Sequence, residues 1–234
     1  MRRALAAEWG KTWSLRSAWF SIPAAVVLTA FTATTLANDF THDIDERRIP
    51  VTDTMPVLDA LGPAVQLGQL ALIALALLVV TSEYGTGVIR ATFLARPRRR
   101  DVLLAKTAVA VAVGFAGGLA CAVAGWAAAR LVLGGHAAPG AAVPACLRLA
   151  LVAALACALT TALASVLRSA AGTLATVFVV LVGLQILTPP IGEYTPAGAA
   201  VSFVSGEATG GLVLVIWVLA AQLSAHVLLV RRDA

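Results

Sequence analysis

Six apolar runs, each close to the length that crosses a bilayer, follow one another with short polar stretches between them. They cover about 19–36, 61–80, 103–129, 145–167, 171–187 and 212–230. A helix of roughly 20 apolar residues spans the hydrocarbon core. In lipid every backbone N–H and C=O must be satisfied within the segment, and continuous apolar runs lack the alternation of a barrel strand. The expected fold is therefore an all-α integral membrane protein with six transmembrane helices. Charge content agrees: 12% of residues are charged, where a soluble domain carries about 25%. The polar stretches, about 20 residues at most, are too short to hold a core of their own.

The first run follows a long charged head and opens a series of runs. It lacks a convincing small-residue cleavage site, so it reads as a membrane span and not as a cleaved signal peptide. Orientation follows from Lys and Arg. With six spans and both ends on one side, Arg47, Arg48, Arg130 and Arg148 face outward and the other basic residues of the 17 face inward. Of the 12 acids, Glu8, Glu83, Asp101 and Asp233 face inward. Both termini are therefore expected to be cytoplasmic, in a plasma (inner) membrane. The net charge of +5 belongs to a face that meets anionic membrane lipids, and it gives no reason to expect nucleic acid.

The head, residues 1–18, reads as an N-terminal amphipathic interfacial helix. Leu5, Trp9 and Trp13 recur every four residues on one face, and Arg2, Arg3, Glu8, Lys11 and Arg16 supply the polar character. Tryptophan with basic residues suits the headgroup layer. The outer stretch 38–59 holds His42, Asp43, Asp45 and Glu46, which read as a solvated loop, since nothing in their spacing fixes a metal geometry. Cys121, Cys146 and Cys157 match neither a zinc pattern nor a disulfide framework and read as small buried residues. No metal site is expected.

Polar residues inside the runs are few: threonines in the first, Gln66 and Gln69 on one face of the second, Gln185 in the fifth, Gln222 and His226 in the sixth. Such residues bond neighbouring helices or line a pathway. The link between the fourth and fifth runs, around Arg168 to Gly172, predicts a tight helical hairpin. The stretch 191–210 reads as short helices packed on protein.

Residues 82–102 form a basic segment between the second and third runs. Glu83 stands at the end of an apolar run, where an unpaired carboxylate is costly. It is expected to pair with a nearby arginine, or with backbone N–H groups where Gly85 and Gly87 let the chain turn. Asp101 falls at a helix start, where an acid is favoured. The order of residues is an acid (Glu83), Gly85-Thr86, Arg90, Leu94, Pro97, the cluster Arg98, Arg99 and Arg100, and Lys106.

That order resembles the signature region of ABC transporter permeases of the ABC type-2 (exporter-like) family. Six spans, cytoplasmic termini and an interfacial head helix are similar to the family as well. The resemblance implies a permease subunit, a dimer of two copies or a pair with a sister permease, coupled to a separate ABC ATPase subunit. The coupling residues would be Glu83, Gly85, Thr86, Arg90, Pro97, Arg98, Arg99, Arg100 and Lys106. Trp9, Lys11, Trp13 and Arg16 would belong to the interfacial helix, and Gln66, Gln69, Gln185 and Gln222 to a pathway. The chain itself is not expected to be an enzyme: Gly10-Lys11-Thr12 lacks the earlier glycine of a phosphate loop, position 5 being Leu. ATP and Mg would be bound by the partner, with no cofactor in this chain. The substrate stays open among amphiphilic, drug-like, lipid-like and peptide molecules. Alanine, valine and arginine content suggests a bacterial, GC-rich source. The alternatives are a membrane scaffold or sensor that recruits another cytoplasmic partner, and a secondary transporter; no run carries the central Asp, Glu or Lys that ion coupling uses.

Overall fold

A computed structural model describes residues 1–95, 99–184 and 189–231. The chain is almost entirely helical over these residues. In order come α1 (Arg2–Ser14), α2 (Arg16–Asp45), α3 (Val57–Gly85), α4 (Val88–Ala95), α5 (Arg99–Leu133), α6 (Ala142–Leu167) and α7 (Ala170–Phe178). A π-helical turn, Val179–Gly183, follows α7. A 3-10 turn, Pro189–Tyr194, then leads to α8 (Pro196–Ser205) and α9 (Ala208–Arg231). Two two-residue strands, β1 (Met55–Pro56) and β2 (Ala137–Ala138), pair in parallel.

Five helices, α2, α3, α5, α6 and α9, are long and apolar enough to cross a membrane, which fits a multi-pass membrane protein. Four of the remaining expectations need adjustment. The run 171–187 does not form a helix of spanning length within the described residues: α7 gives way to the π turn, and residues 185–188 lie outside the description. The head ends earlier than residue 18, because Leu15 is extended (φ −78°, ψ 124°) and separates α1 from α2. The stretch 38–59 is not all loop. Helix α2 continues to Asp45, because Ile44 is buried and Phe40 packs with Ala33 and Ala37 against α3 and α5. Its charged residues pair locally: Arg48 meets Asp43 at 3.0 Å and Glu46 at 2.5 Å, and His42 lies 3.5 Å from Glu46. Finally, among the described residues Glu83 pairs with lysines, as described below.

The residues group into two compact units. One comprises Phe20–Leu72 and Phe115–Ala153. Its core joins Ala33 and Ala37 of α2, Val57, Ala60 and Ala64 of α3, and Ala129 and Leu133 of α5. Small residues bring these helices close. A Cβ added at Gly68 would lie 2.0 Å from Thr29 Oγ1 and 2.8 Å from the Ala25 carbonyl, so α3 meets α2 backbone to backbone there. Gly118 of α5 is equally tight against Ala150 and Ala153 of α6. In a membrane, where lipid competes with apolar contacts, close approach through small residues drives helix association.

The other unit comprises Met1–Trp19, Ile73–Gly114 and Ala154–Ala234. Ile73, Ala156 and Val177 form one buried cluster, and Leu103, Ala162, Ala225 and Leu229 another. Two buried hydroxyls of α6 are satisfied by its own backbone: Thr160 donates to the Ala156 carbonyl and Thr161 to that of Cys157, both at 2.8 Å. The hairpin expected near residue 168 is present. Arg168 takes a left-handed φ of 56°, and the Ser169 side chain accepts from Gly172 N–H to cap α7. Helices α8 and α9 pack so tightly that a Cβ at Gly210 would meet the Ala199 carbonyl at 2.4 Å. Residues 191–210 are thus short helices packed on protein, as their composition predicts. Cys121, Cys146 and Cys157 are free and buried, the last against Gly114.

Candidate functional site

Helix α1 turns its polar stripe toward protein. Ala4, Glu8 and Thr12, at four-residue spacing, are its buried positions, whereas Trp9 is half exposed and Arg2, Arg3 and Arg16 are exposed. Lys11 lies three residues from Glu8 on the same face, and its Nζ meets Glu8 Oε1 at 2.9 Å. The buried face of α1 is thereby an acid with a lysine beside it, inside a chain made mostly of Ala, Leu and Val.

Its partners come from two other helix ends. Glu83 occupies the last turns of α3, and Lys106 sits two turns into α5. Lys106 Nζ lies 2.7 Å from Glu8 Oε2 and 2.7 Å from Glu83 Oε1. Lys11 Nζ reaches the same Glu83 oxygen at 2.9 Å and donates a longer bond, 3.4 Å, to Thr92 Oγ1 of α4. Two acids and two bases so form a neutral cluster that ties α1, α3, α4 and α5 together. Three of the side chains are below a tenth exposed; Lys11 is one-third exposed.

Charges taken out of water cost several kcal/mol each, and only good geometry with further hydrogen bonds compensates. Here each lysine touches both carboxylates. Among the described residues one acceptor stays unused: Glu83 Oε2 is buried with no hydrogen-bond partner. Burial alone would disfavour the Lys11 charge, but hydrogen bonds and attraction from Glu8 and Glu83 outweigh it and hold its pKa above the ordinary lysine value.

Among the described side chains Glu83 pairs with lysines, and the one described arginine of the segment, Arg100, does not reach it. Arg100 is exposed on a face of α5 turned away from Lys106, six residues along the helix. A lysine two turns in, with a long flexible stem, reaches back instead. The expected turn is real: Gly87 has φ 73°, where a side chain would be strained, and it separates α3 from α4. Gly85 ends α3, and Thr86 Oγ1 donates to the Ser82 carbonyl at 2.8 Å. Asp101 lies in the first turn of α5. The side chains of Arg90 and Arg99, and all of Pro97 and Arg98, lie outside the described residues.

The head residues divide. Lys11 joins the cluster and Arg16 does not. Trp9 packs edge-on to Trp13 (5.7 Å between rings), Trp13 packs on Trp19 (5.6 Å), and Trp19 Nε1 donates to the Trp13 carbonyl at 3.1 Å. This ladder braces the break at Leu15. Among the glutamines, Gln222 Nε2 donates to the Ala158 carbonyl at 3.0 Å and bridges α9 to α6. Gln66 is exposed, Gln69 Oε1 is buried without a hydrogen-bond partner, and Gln185 lies outside the described residues. Glu8 was missed as a site residue. Its signal was present: an acid in an otherwise basic head, three residues before Lys11.

No family model, no curated protein and no solved structure matches this chain.

Proposed function

We propose that the chain is the permease subunit of an ATP-driven exporter of the ABC type-2 kind. In this reading it has six spans, the fifth beginning with α7, and both termini lie on the cytoplasmic side. Helix α1 lies in the headgroup layer. A separate ABC ATPase docks on the segment from Glu83 to Arg100, and a second permease copy or a sister permease completes the pathway. The observation that supports the reading best is the charge cluster. It links the head helix to both ends of the segment that carries the resemblance, so a push on α4 moves α1, α3 and α5 as one body.

The coupling then works as a difference in affinity. ATP draws two partner subunits together, and they bind one position of the α3–α4–α5 ends better than the other. Only that difference shifts the equilibrium between inward- and outward-open states. The cluster keeps the displaced parts rigid, so motion is passed along helices and not absorbed at their ends. The chain supplies no catalytic group; ATP and Mg belong to the partner. The substrate is an amphiphilic, drug-like or lipid-like molecule.

The test is purification of tagged chain from its native membranes in mild detergent. A stoichiometric ATPase subunit that is lost when Arg98, Arg99 and Arg100 are reversed to Glu supports the reading. A clean homo-oligomer without ATPase, under conditions that preserve other ABC complexes, refutes it.

A further inference from the structure

Beside the charge cluster, α1 and α5 leave a groove of about 390 Å³, lined by Leu5, Ala6, Trp9, Ala108, Val109 and Ala112. Its size falls in the range of small-ligand sites, roughly 300–1,000 Å³, and its walls are apolar. On its α1 side the charge left free is of one sign. Glu8, the acid of α1, is turned inward and neutralised by Lys106 and Lys11. Arg2 and Arg3 are exposed and form no ion pair among the described residues. Helical spacing puts Arg2 on the stripe of Leu5, Ala6 and Trp9. On α5, Leu104 and Arg100 are exposed in the turns before Ala108, and Asp101 lies in the first turn beside Arg100.

We propose that this groove binds an acyl chain of an anionic phospholipid, with the headgroup phosphate held by Arg2 and Arg3. A zwitterionic lipid would fill the groove equally well, but it would gain nothing from an α1 surface stripped of acids. The inference rests on the membrane placement in the proposed function and not on the ATPase. A basic residue near an anionic surface is worth about 1 kcal/mol, close to fivefold in occupancy, so two give at most about 25-fold, and on the order of tenfold once salt screens the exposed charges.

Tryptophan quenching tests this directly. Single-tryptophan chains retain either Trp9 or Trp217, the other four being Phe, in bilayers of phosphatidylcholine and phosphatidylglycerol in which one or the other carries bromine on its acyl chains. The expected result is quenching of Trp9 by brominated phosphatidylglycerol on the order of tenfold more effective per mole fraction, with no such preference at Trp217. Arg2→Gln with Arg3→Gln should bring the Trp9 preference close to unity, and Ala108→Phe should lower quenching of Trp9 by both lipids. Equal quenching of Trp9 by both lipids means ordinary bulk lipid and overturns the proposal. An unquenched Trp9 beside a quenched Trp217 means that protein covers the groove, and overturns it as well. If neither tryptophan is quenched, the membrane placement fails and takes the proposal with it.

Discussion

Lys106 on α5 holds Glu8 on α1 at 2.7 Å, across 98 positions of sequence. Both side chains are almost fully buried, so each serves as the other's counter-charge. The pair fixes where the head helix rests.

Removing that lysine leaves two buried carboxylates short of a counter-charge. Breaking one partner of a buried ion pair costs about 3–5 kcal/mol, so Lys106→Met should lower thermal stability in detergent by that order. Lys11→Met, at a position one-third exposed, should cost about 1 kcal/mol. Adding Glu8→Gln alone to Lys106→Met should recover most of the loss, because Glu83 and Lys11 then remain as a matched pair at 2.9 Å. Equal melting temperatures for the Lys106 and Lys11 variants would contradict the burial argument.

The raised pKa of Lys11 sets a pH window. A lysine that is more basic folded than unfolded stabilises fully below its unfolded value of 10.5 and loses that contribution as pH rises through the folded value. The stability gap between wild type and Lys11→Met should therefore be flat from neutral pH to about 10 and close only above it. Melting curves of the two proteins across that range provide the check, and a gap that shrinks between pH 7 and 9 would rule the account out.

Two glycines of α3 should respond in opposite directions to alanine. At Gly68 the new Cβ would collide with Thr29 and the Ala25 carbonyl, so α2 and α3 must part, at about 1–3 kcal/mol. At Gly62 nothing lies within 4 Å, and alanine should stabilise by up to about 1 kcal/mol through helix propensity. Paired thermal melts of Gly68→Ala and Gly62→Ala decide the matter.

The long helices were legible because an apolar run near 20 residues has few alternatives. Their lengths were not. Helix α2 outruns its apolar stretch by about nine residues, because Phe40 and Ile44 find tertiary partners that no local pattern announces. The same holds at the site. Glu83 stood out as an acid at the edge of lipid, but Lys106 is 23 positions after it and Lys11 is 72 positions before it; only folding brings them together. Of the segment's arginines only Arg100 has a described side chain, and helix phase turns it to the surface. Tight crossings at Gly68 and Gly210 were equally hidden, since a glycine in an apolar run reads the same whether it faces lipid or a neighbouring backbone.

The three unpaired thiols, shut between α5, α6 and their neighbours, give the chain a built-in clock. A maleimide added to the folded protein should find Cys157 silent as long as Gly114 stays against it, so the rate of labelling measures how often those two helices separate. Cysteines introduced on the exposed faces would react at once against that quiet background, without any need to remove the native ones.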